Sequence, residues 1–374
     1  MLAIQKYLRE KGLPAAVEEF KLSVNTDGSL VQLNYTMFDS PRESQECCEC
    51  RGLILDQAND WAVVAYPFYR FFNEGEGPAA KINLDTAILQ EKLDGSLITL
   101  YWHPYRQEWC VATRGRIDAG GNVGKNGAKT FAQLFWEAAG KTQINKNDAL
   151  AKNHCYVFEL TGPENRVLTS YQDTRLHLIG ARNTQNLQEV AWPLLNAVSV
   201  HIDVPRPKQY TFNSRDDIQK ILNDFKPTEE GFVLVDYSNL INGSFPRIKI
   251  KNPRYLALKN LLGAGDEDLL NSKRVLELIQ TGEIEEVLVY FPEYKDQIQR
   301  MQEKLDKLAF EMDFEYSKIR NLGKDRKTFA AAAKQYRYPA VLFNMLDGKV
   351  LNAKDYVLKM RPEVVLDLLS EKEK

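Results

Sequence analysis

The sequence predicts an α+β protein, with antiparallel sheets and flanking helices over residues 1–259 and an all-helical region over 260–374. Three observations carry this. The first 250 or so residues alternate short β-rich runs with turn-forming clusters and a few helical stretches. After about Lys259 the apolar residues fall three and four apart, as in Ile298, Met301, Leu305, Leu308 and Met312, with little Gly or Pro before Pro339 and Pro362. Finally, 374 residues with 44% hydrophobic and 27% charged content suit a globular chain long enough for two domains, so a boundary is placed near residue 260.

Taken in order, MLAIQKYLREKGL reads as a short amphipathic helix without a signal-peptide core. RGLILD and WAVVAYPF are apolar runs separated by the turn cluster QAND, a hairpin by pattern, followed by YRFFN and a Gly-rich loop. Thr86 to Gln90 lead into EKLDGS and Leu97 to Trp102 lead out, so the Asp-Gly pair reads as a tight connection between two strands. Ala128 to Ala139 reads as a helix, 156–160 (YVFEL) and 176–182 (LHLIGAR) as strands, and Ser214 to Phe225 as a helix with Ser214 as N-cap. LLGAGDEDLLNSKRVLELI opens the helical region.

Composition narrows the function. A net charge of −2 excludes a globally basic nucleic-acid binder, so any nucleic acid is held by local clusters of Lys and Arg. No apolar run approaches the roughly 18 residues that cross a bilayer, and five cysteines suit a reducing, cytoplasmic setting. Cys47 and Cys50 form a CxxC that lacks the further ligands of a closed zinc site, so free thiols are expected.

The chemistry centres on Lys92, held at the end of an apolar strand and followed by Asp94 and Gly95. An unperturbed lysine is almost wholly protonated at pH 7, so a nucleophilic one needs neighbouring cations, a metal ion or partial burial to free its amine. Other stretches supply such groups: Arg51 in CRGLIL, Arg70 in YRFFN, Arg114 in ATRGR, Glu159 in FEL, Glu230 in EGFV, and Lys249 with Lys251 in RIKIKN. On a strand Lys249 and Lys251 share one face while Ile248 and Ile250 take the other. Two ammonium groups side by side call for an anion between them, and phosphate is the natural one; a solvated edge strand gives the same alternation. Glu159 and Glu230 suit a ribose hydroxyl or a hard metal ion such as Mg²⁺.

These motifs, in this order, resemble the covalent nucleotidyltransferase superfamily of ATP-dependent ligases and RNA capping enzymes, and within it the RNA ligase 1 family of T-even phage type. KLDG is similar to its motif I, TRGR to Ia, FEL to III, LHLIGAR to IIIa, EGFV to IV and KIK to V; ECRG, FFN with Asn73, the NRV of PENRV, and Tyr255 shortly after KIK are closer to RNA ligase 1. The resemblance implies a nucleotidyltransferase (adenylation) domain over 1–259 and an RNA-specificity module over 260–374. It implies that Lys92 attacks the α-phosphate of ATP to form lysyl-AMP, that AMP passes to an RNA 5′-phosphate, and that a 3′-hydroxyl end then displaces it. Glu91 would contact adenine and Glu159 the ribose. Lys249 and Lys251 would bind the α-phosphate and, with Arg51 and Arg70, the rest of the triphosphate. Glu230 and Asp94 would serve Mg²⁺ (or Mn²⁺) and the later steps. The family often has Lys where this chain has Arg70 and Arg114, which leaves the geometry of those two phosphate contacts open. For adenine, Leu178, Ile179 and Phe232 are candidate packing partners. The implied partners are RNA ends, tRNA among them, and a separate end-healing kinase or phosphatase, in a phage-type setting. A DNA ligase or capping guanylyltransferase would follow motif V with a β-barrel rather than helices, and a non-catalytic RNA-binding relative would be free to lose Lys92.

Overall fold

The computed structural model describes residues 1–36, 39–41, 43–123, 127–144, 149–262, 271–282, 284–350 and 352–370, the side chains at 261, 286, 290 and 324 apart. The chain divides into two compact units, Met1–Lys259 and Asn260–Lys374.

In the first unit the helices are α1 (Ala3–Phe20), α2 (Gln45–Glu49), α3 (Phe131–Ala139), α4 (Trp192–His201), α5 (Arg215–Asn223) and the start of α6 (Pro253–Leu262). The strands are β1 (Leu22–Asp27), β2 (Leu30–Tyr35), β3 (Arg51–Asp56), β4 (Ala62–Ala65), β5 (Ala87–Glu91), β6 (Ser96–His103), β7 (Glu108–Thr113), β8 (Asn122–Val123), β9 (Lys129–Thr130), β10 (His154–Thr161), β11 (Arg175–Asn183), β12 (Gln209–Tyr210), β13 (Gly231–Asp236) and β14 (Arg247–Lys251). The N-terminal helix is longer than its amphipathic stretch and bends at Gly12, whose φ of 81° is open to a residue without a Cβ.

All pairings within the sheets are antiparallel. One sheet runs β1-β2-β3-β4, a second β11-β10-β6-β7, a third β12-β5-β13-β14, and β8-β9 form a short ribbon. The hairpin read from RGLILD and WAVVAYPF is β3-β4, shorter than its apolar pattern because Tyr66 to Phe72 leave the sheet. The connection at EKLDGS differs from a hairpin. β5 pairs with β12 and β13, β6 with β7 and β10, so Lys92 to Gly95 cross from the third sheet to the second.

Helices cover one face of each of these two sheets. On the second, Leu134, Phe135 and Ala138 of α3 pack with Ile98, Leu100, Phe158 and Leu178. On the third, Ile218 and Leu222 of α5 pack with Leu89, Phe232, Leu234, Ile248 and Ile250, each large apolar side chain contributing about 1.5–3 kcal/mol by leaving water. Capping fixes both helices: Thr130 accepts from the Gln133 amide and Ser214 from the Asp217 amide. On its other face the second sheet packs in part against the first, where Tyr101, Ala112 and Cys155 meet Leu30, Ile54 and Ala65, while Leu97, Glu159 and Ile179 of the second sheet and Val233, Lys249 and Lys251 of the third line a polar cleft.

The described elements of the second unit are all helical: the end of α6, then α7 (Ser272–Thr281), α8 (Ile284–Tyr290), α9 (Lys295–Ile319), α10 (Arg326–Ala333), α11 (Pro339–Leu346), α12 (Ala353–Val357) and α13 (Pro362–Ser370), with short 3₁₀ turns. Ile298, Leu305, Leu308 and Met312 form the buried stripe of α9, and Met301 is half-buried. Pro339 and Pro362 each open a helix, where the missing N–H costs nothing. Of the stretch LLGAGDEDLLNSKRVLELI, residues 263–270 lie outside the described residues. Among the described residues no helix is long and apolar enough to cross a membrane.

Candidate active site

The crossover segment 92–95 is clamped from several sides. Both oxygens of Asp94 are engaged: Oδ1 accepts the Tyr255 hydroxyl at 2.8 Å, and Oδ2 accepts the amides of Leu168 and Thr169 at 2.8 and 2.9 Å. The Asp94 amide in turn donates to the Tyr171 hydroxyl at 3.1 Å. Asp94 is therefore buried under the turn, where a carboxylate holding three donors is a clamp. Tyr255, fully buried, belongs to the same clamp.

Gly95 answers a different demand. Its φ is not positive, but a Cβ there would stand 2.3 Å from the Leu160 carbonyl oxygen. That carbonyl also accepts the Asn165 Nδ2 at 2.7 Å, so the asparagine of NRV fastens β10 beneath the turn. The close approach lets the Gly95 amide donate to Glu159 Oε1 at 3.1 Å.

Above this base Lys92 projects into a cleft of about 220 Å³. Its ammonium contacts the Glu230 carboxylate. The cleft is also lined by Glu91, Glu159, Arg51, Lys249, Lys251 and Arg247. Lys249 and Lys251 face it from β14 while Ile248 and Ile250 are in the core, the alternation expected of the strand. Asn73 runs beside β14: the Lys249 amide donates to the Phe72 carbonyl at 3.0 Å and the Glu74 amide to the Lys249 carbonyl at 2.8 Å.

Electrostatics follow from this crowding. Burial, then Arg51, Lys92 and Lys251, depress the Lys249 ammonium to about 7, against the pull of Glu230. Lys251 is lowered mainly by burial. Burial raises the Glu159 carboxyl to about 7, opposed by Lys92 and the Gly95 amide, and it raises Glu91 as well. Arg51 is lowered by burial, and its Nη1 is buried with no partner. Among the described residues no carboxylate pairs with Lys249 or Lys251. Such a site is short of negative charge in the way a phosphate chain would supply.

Four residues expected at the nucleotide, Phe232, Leu178, Arg70 and Arg114, stand away from this cleft. Phe232 is fully buried on the core face of β13 with Leu234 and Phe225; the alternate residues Val233 and Val235 line the cleft instead. Leu178 is likewise core while its neighbour Ile179 faces the cleft. Arg70 and Arg114 gather on the ring of Tyr35, at 4.2 and 5.7 Å, and neither lines the cleft. Glu230, proposed for Mg²⁺, is engaged by Lys92, and among the described residues no group of three His, Cys, Asp or Glu is placed to hold a metal ion. All five cysteines are free thiols.

Arg247 is the residue that sequence reasoning missed. It shares the β14 face with Lys249 and Lys251, a spacing that was visible in RIKIK. Its guanidinium lies over Phe68 at 4.4 Å and contacts Glu189, which also binds the fully buried Arg182 at 2.7 Å. Phe71 is the second omission: Lys249, Arg51 and Arg247 stand 4.7, 5.5 and 5.6 Å from its ring centroid.

The fold and site thus define a protein of antiparallel sheets whose cleft gathers the Lys92 amine with Arg51, Arg247, Lys249 and Lys251 and with Glu91, Glu159 and Glu230. The chain belongs to the RNA ligase family: a family profile described as RNA ligase matches residues 49–255. It is 28% identical over 359 residues to an RNA ligase of Rhodothermus phage RM378, covering 80% of this chain and 81% of the phage protein. It is 30% identical over 317 residues to a protein of Autographa californica nuclear polyhedrosis virus that carries the name of a bifunctional polynucleotide kinase/RNA ligase, covering 80% of this chain and 43% of the viral one. Among solved structures, an archaeal ATP-dependent RNA ligase (form 2) superposes with a TM-score of 0.49 at 12% identity, over 81% of this chain and 79% of that one.

Proposed function

We propose that this RNA ligase uses ATP to join 5′-phosphate and 3′-hydroxyl RNA ends, with Lys92 as the nucleophile. The observation that carries the reading is the Lys92 amine in a cleft with unpaired cations on one side and Glu91, Glu159 and Glu230 on the other. In the first step the Lys92 ammonium passes one proton to the contacting Glu230 carboxylate, its nitrogen bonds to the α-phosphorus, and the second proton on that nitrogen goes to solvent. The bond from that phosphorus to the bridging oxygen breaks, and pyrophosphate leaves. Arg51, Lys249 and Lys251 offset the charge that gathers on the departing oxygens. In the second step an oxygen of an RNA 5′-phosphate takes the AMP and frees Lys92. In the third the 3′-hydroxyl attacks that 5′-phosphate, loses its proton and releases AMP. Glu159 suits the ribose hydroxyls, Glu91 and Ile179 the adenine. The orphaned Arg51 Nη1 and the unpaired lysines fit a triphosphate. A divalent ion, Mg²⁺ or Mn²⁺, would neutralise phosphate charge in this cleft, with Glu230 as the candidate side chain to hold it.

Incubation with labelled ATP and Mg²⁺, intact-mass analysis and then addition of 5′-phosphorylated RNA tests this. The protein gains one AMP, and RNA removes it. Lys92→Ala and Lys92→Arg gain none, because alanine has no amine and a guanidinium stays protonated. An adduct of undiminished yield on either variant would remove Lys92 from the mechanism.

Residues 1–259 carry the chemistry in this reading, and 260–374 choose among RNA substrates, in a repair pathway in which tRNA is a candidate substrate. The two-activity name of the baculovirus relative supports a pairing with end-healing enzymes. Residues 260–374 carry two local basic runs, KDRK (324–327) and KQYRY (334–338); in them Arg326 is paired with Asp347 at 2.9 Å, whereas Lys327 and Lys334 are exposed. Replacing both lysines by Glu is expected to slow joining on a nicked stem-loop several-fold more than on an unstructured oligonucleotide; equal rates on both would refute the recognition role.

A further inference from the structure

Beside the Lys92 cleft lies a second and larger cavity, of about 420 Å³, within the size of small-ligand sites. Its walls are the segment after β4 and the turn before β14. The first supplies Tyr69, Phe71 and Phe72, the second Phe245 and Arg247. The turn is a tight one: Ile241 and Ser244 bridge across Asn242 and Gly243, which take φ of 51° and 77°. It holds Ile241 out at 56% exposure beside the opening.

Two features separate this cavity from a packing void. Four aromatic rings line it, and among them stands Arg70, only 8% exposed, its Nη1 buried without a partner and its guanidinium 5.1 Å from the Phe72 centroid. Rings combined with guanidinium groups are the surface on which unpaired nucleobases stack. The cavity also adjoins the Lys92 cleft, because Phe71 and Arg247 belong to the walls of both. A nucleotide whose phosphate meets Lys92 and the β14 cations has its own base as the nearest group able to reach past Phe71.

We propose that this cavity holds the unpaired base of the 5′-terminal nucleotide of the phosphorylated RNA end, while that nucleotide's 5′-phosphate lies in the Lys92 cleft. The proposal rests on the ligase reading above and adds a subsite to it. Arg247, anchored by Glu189, stands between base and phosphate, and Phe71 forms the partition. No base-specific pattern of hydrogen bonds is required, since every base has a stacking face.

Gly77 offers a clean test. It lines the cavity, its φ is not positive, and a Cβ there would meet nothing within 4 Å, so Gly77→Trp obstructs the opening without a backbone penalty. AMP attachment and AMP transfer are measured separately in single turnover. The donors are a 5′-phosphorylated oligonucleotide and the same strand with an abasic 5′-terminal residue. The wild type is expected to transfer AMP to the intact donor at least tenfold faster than to the abasic one. Gly77→Trp is expected to take up AMP at the wild-type rate, to transfer it at least tenfold more slowly, and to treat the two donors alike. Equal transfer to both donors by the wild type would overturn the proposal, as would wild-type transfer by Gly77→Trp or a base effect confined to the 3′-hydroxyl strand. Failure of the wild type to take up AMP at all is read out first, and it would remove the ligase reading together with this subsite.

Discussion

Gly95→Ala tests the base of the site more sharply than any change in its charged groups. The added Cβ would stand 2.3 Å from the Leu160 carbonyl oxygen and 3.0 Å from the Thr161 methyl, so the backbone contact is 1.1 Å short of an ordinary 3.4 Å separation. β10 cannot yield easily, since Leu160 is paired with Ser96 on one side and Leu176 on the other, and its carbonyl is held by Asn165. Segment 92–95 must move instead. Overpacking of this kind costs about 1–3 kcal/mol. Losing the Gly95 amide bond to Glu159 costs about 1.5–3 kcal/mol more. The sum, about 2.5–6 kcal/mol, corresponds to a fall in Tm of roughly 10 °C for a unit of this size. Displacing Lys92 by about 1 Å should also slow AMP attachment by about 10²-fold. Thermal unfolding and single-turnover AMP uptake measure the two effects, with Gly115→Ala, which meets nothing within 4 Å, as the neutral control. A Gly95→Ala protein that melts within about 2 °C of the control and takes up AMP at its rate would refute the close-approach argument.

Two further predictions concern the cleft. Lys249 is depressed from 10.5 to about 7, so the unfolded chain binds its proton more tightly, and the folded state bears a penalty below about pH 7 that fades as pH rises toward 10.5. Lys249→Met is therefore expected to melt higher than the wild type at pH 6, with the gain shrinking by pH 9, while AMP attachment drops by about 10²-fold; a gain independent of pH would contradict the burial of this ammonium. Glu159 is raised from 4.5 to about 7, so its protonated form favours folding below about pH 4.5 and that contribution is lost as pH climbs through 7. The Tm of Glu159→Gln relative to the wild type should thus rise between pH 5 and pH 8, and a flat difference would show that the carboxylate is well solvated.

What the sequence makes legible is local periodicity. The helical stripe of α9, the Ser214 cap and the Lys249/Lys251 face of β14 each depend on residues a few positions apart. The phase of a strand relative to a cleft is another matter. Phe232 and Val233 are equally apolar, and only the pairing of β13 with β5 and the packing of α5 decide that the phenylalanine turns inward. The crossover at EKLDGS was hidden for the same reason, since strand partners lie far off along the chain. The clamp on Asp94 has no local signature either, because its three donors come from Leu168, Thr169 and Tyr255, more than seventy residues away. Arg247 was overlooked although its spacing was in view, because its importance rests on Glu189 and Phe71, which no local pattern ties to it.

The pairing of β5 with β13 sets an order of events during protein synthesis. Leu89 lies opposite Leu234, 145 residues later (234 − 89), and Lys251 follows Lys92 by 159 (251 − 92). At about 5–20 residues per second, the ribosome extends the chain for on the order of 10 s between making Lys92 and making Lys251. During that interval β5 lacks its β13 partner and Lys92 lacks the β14 cations that line its cleft in the fold. On the proposed reading, AMP attachment requires that β14 has left the exit tunnel, so a prematurely terminated product ending before residue 247 is expected to carry Lys92 and take up no AMP.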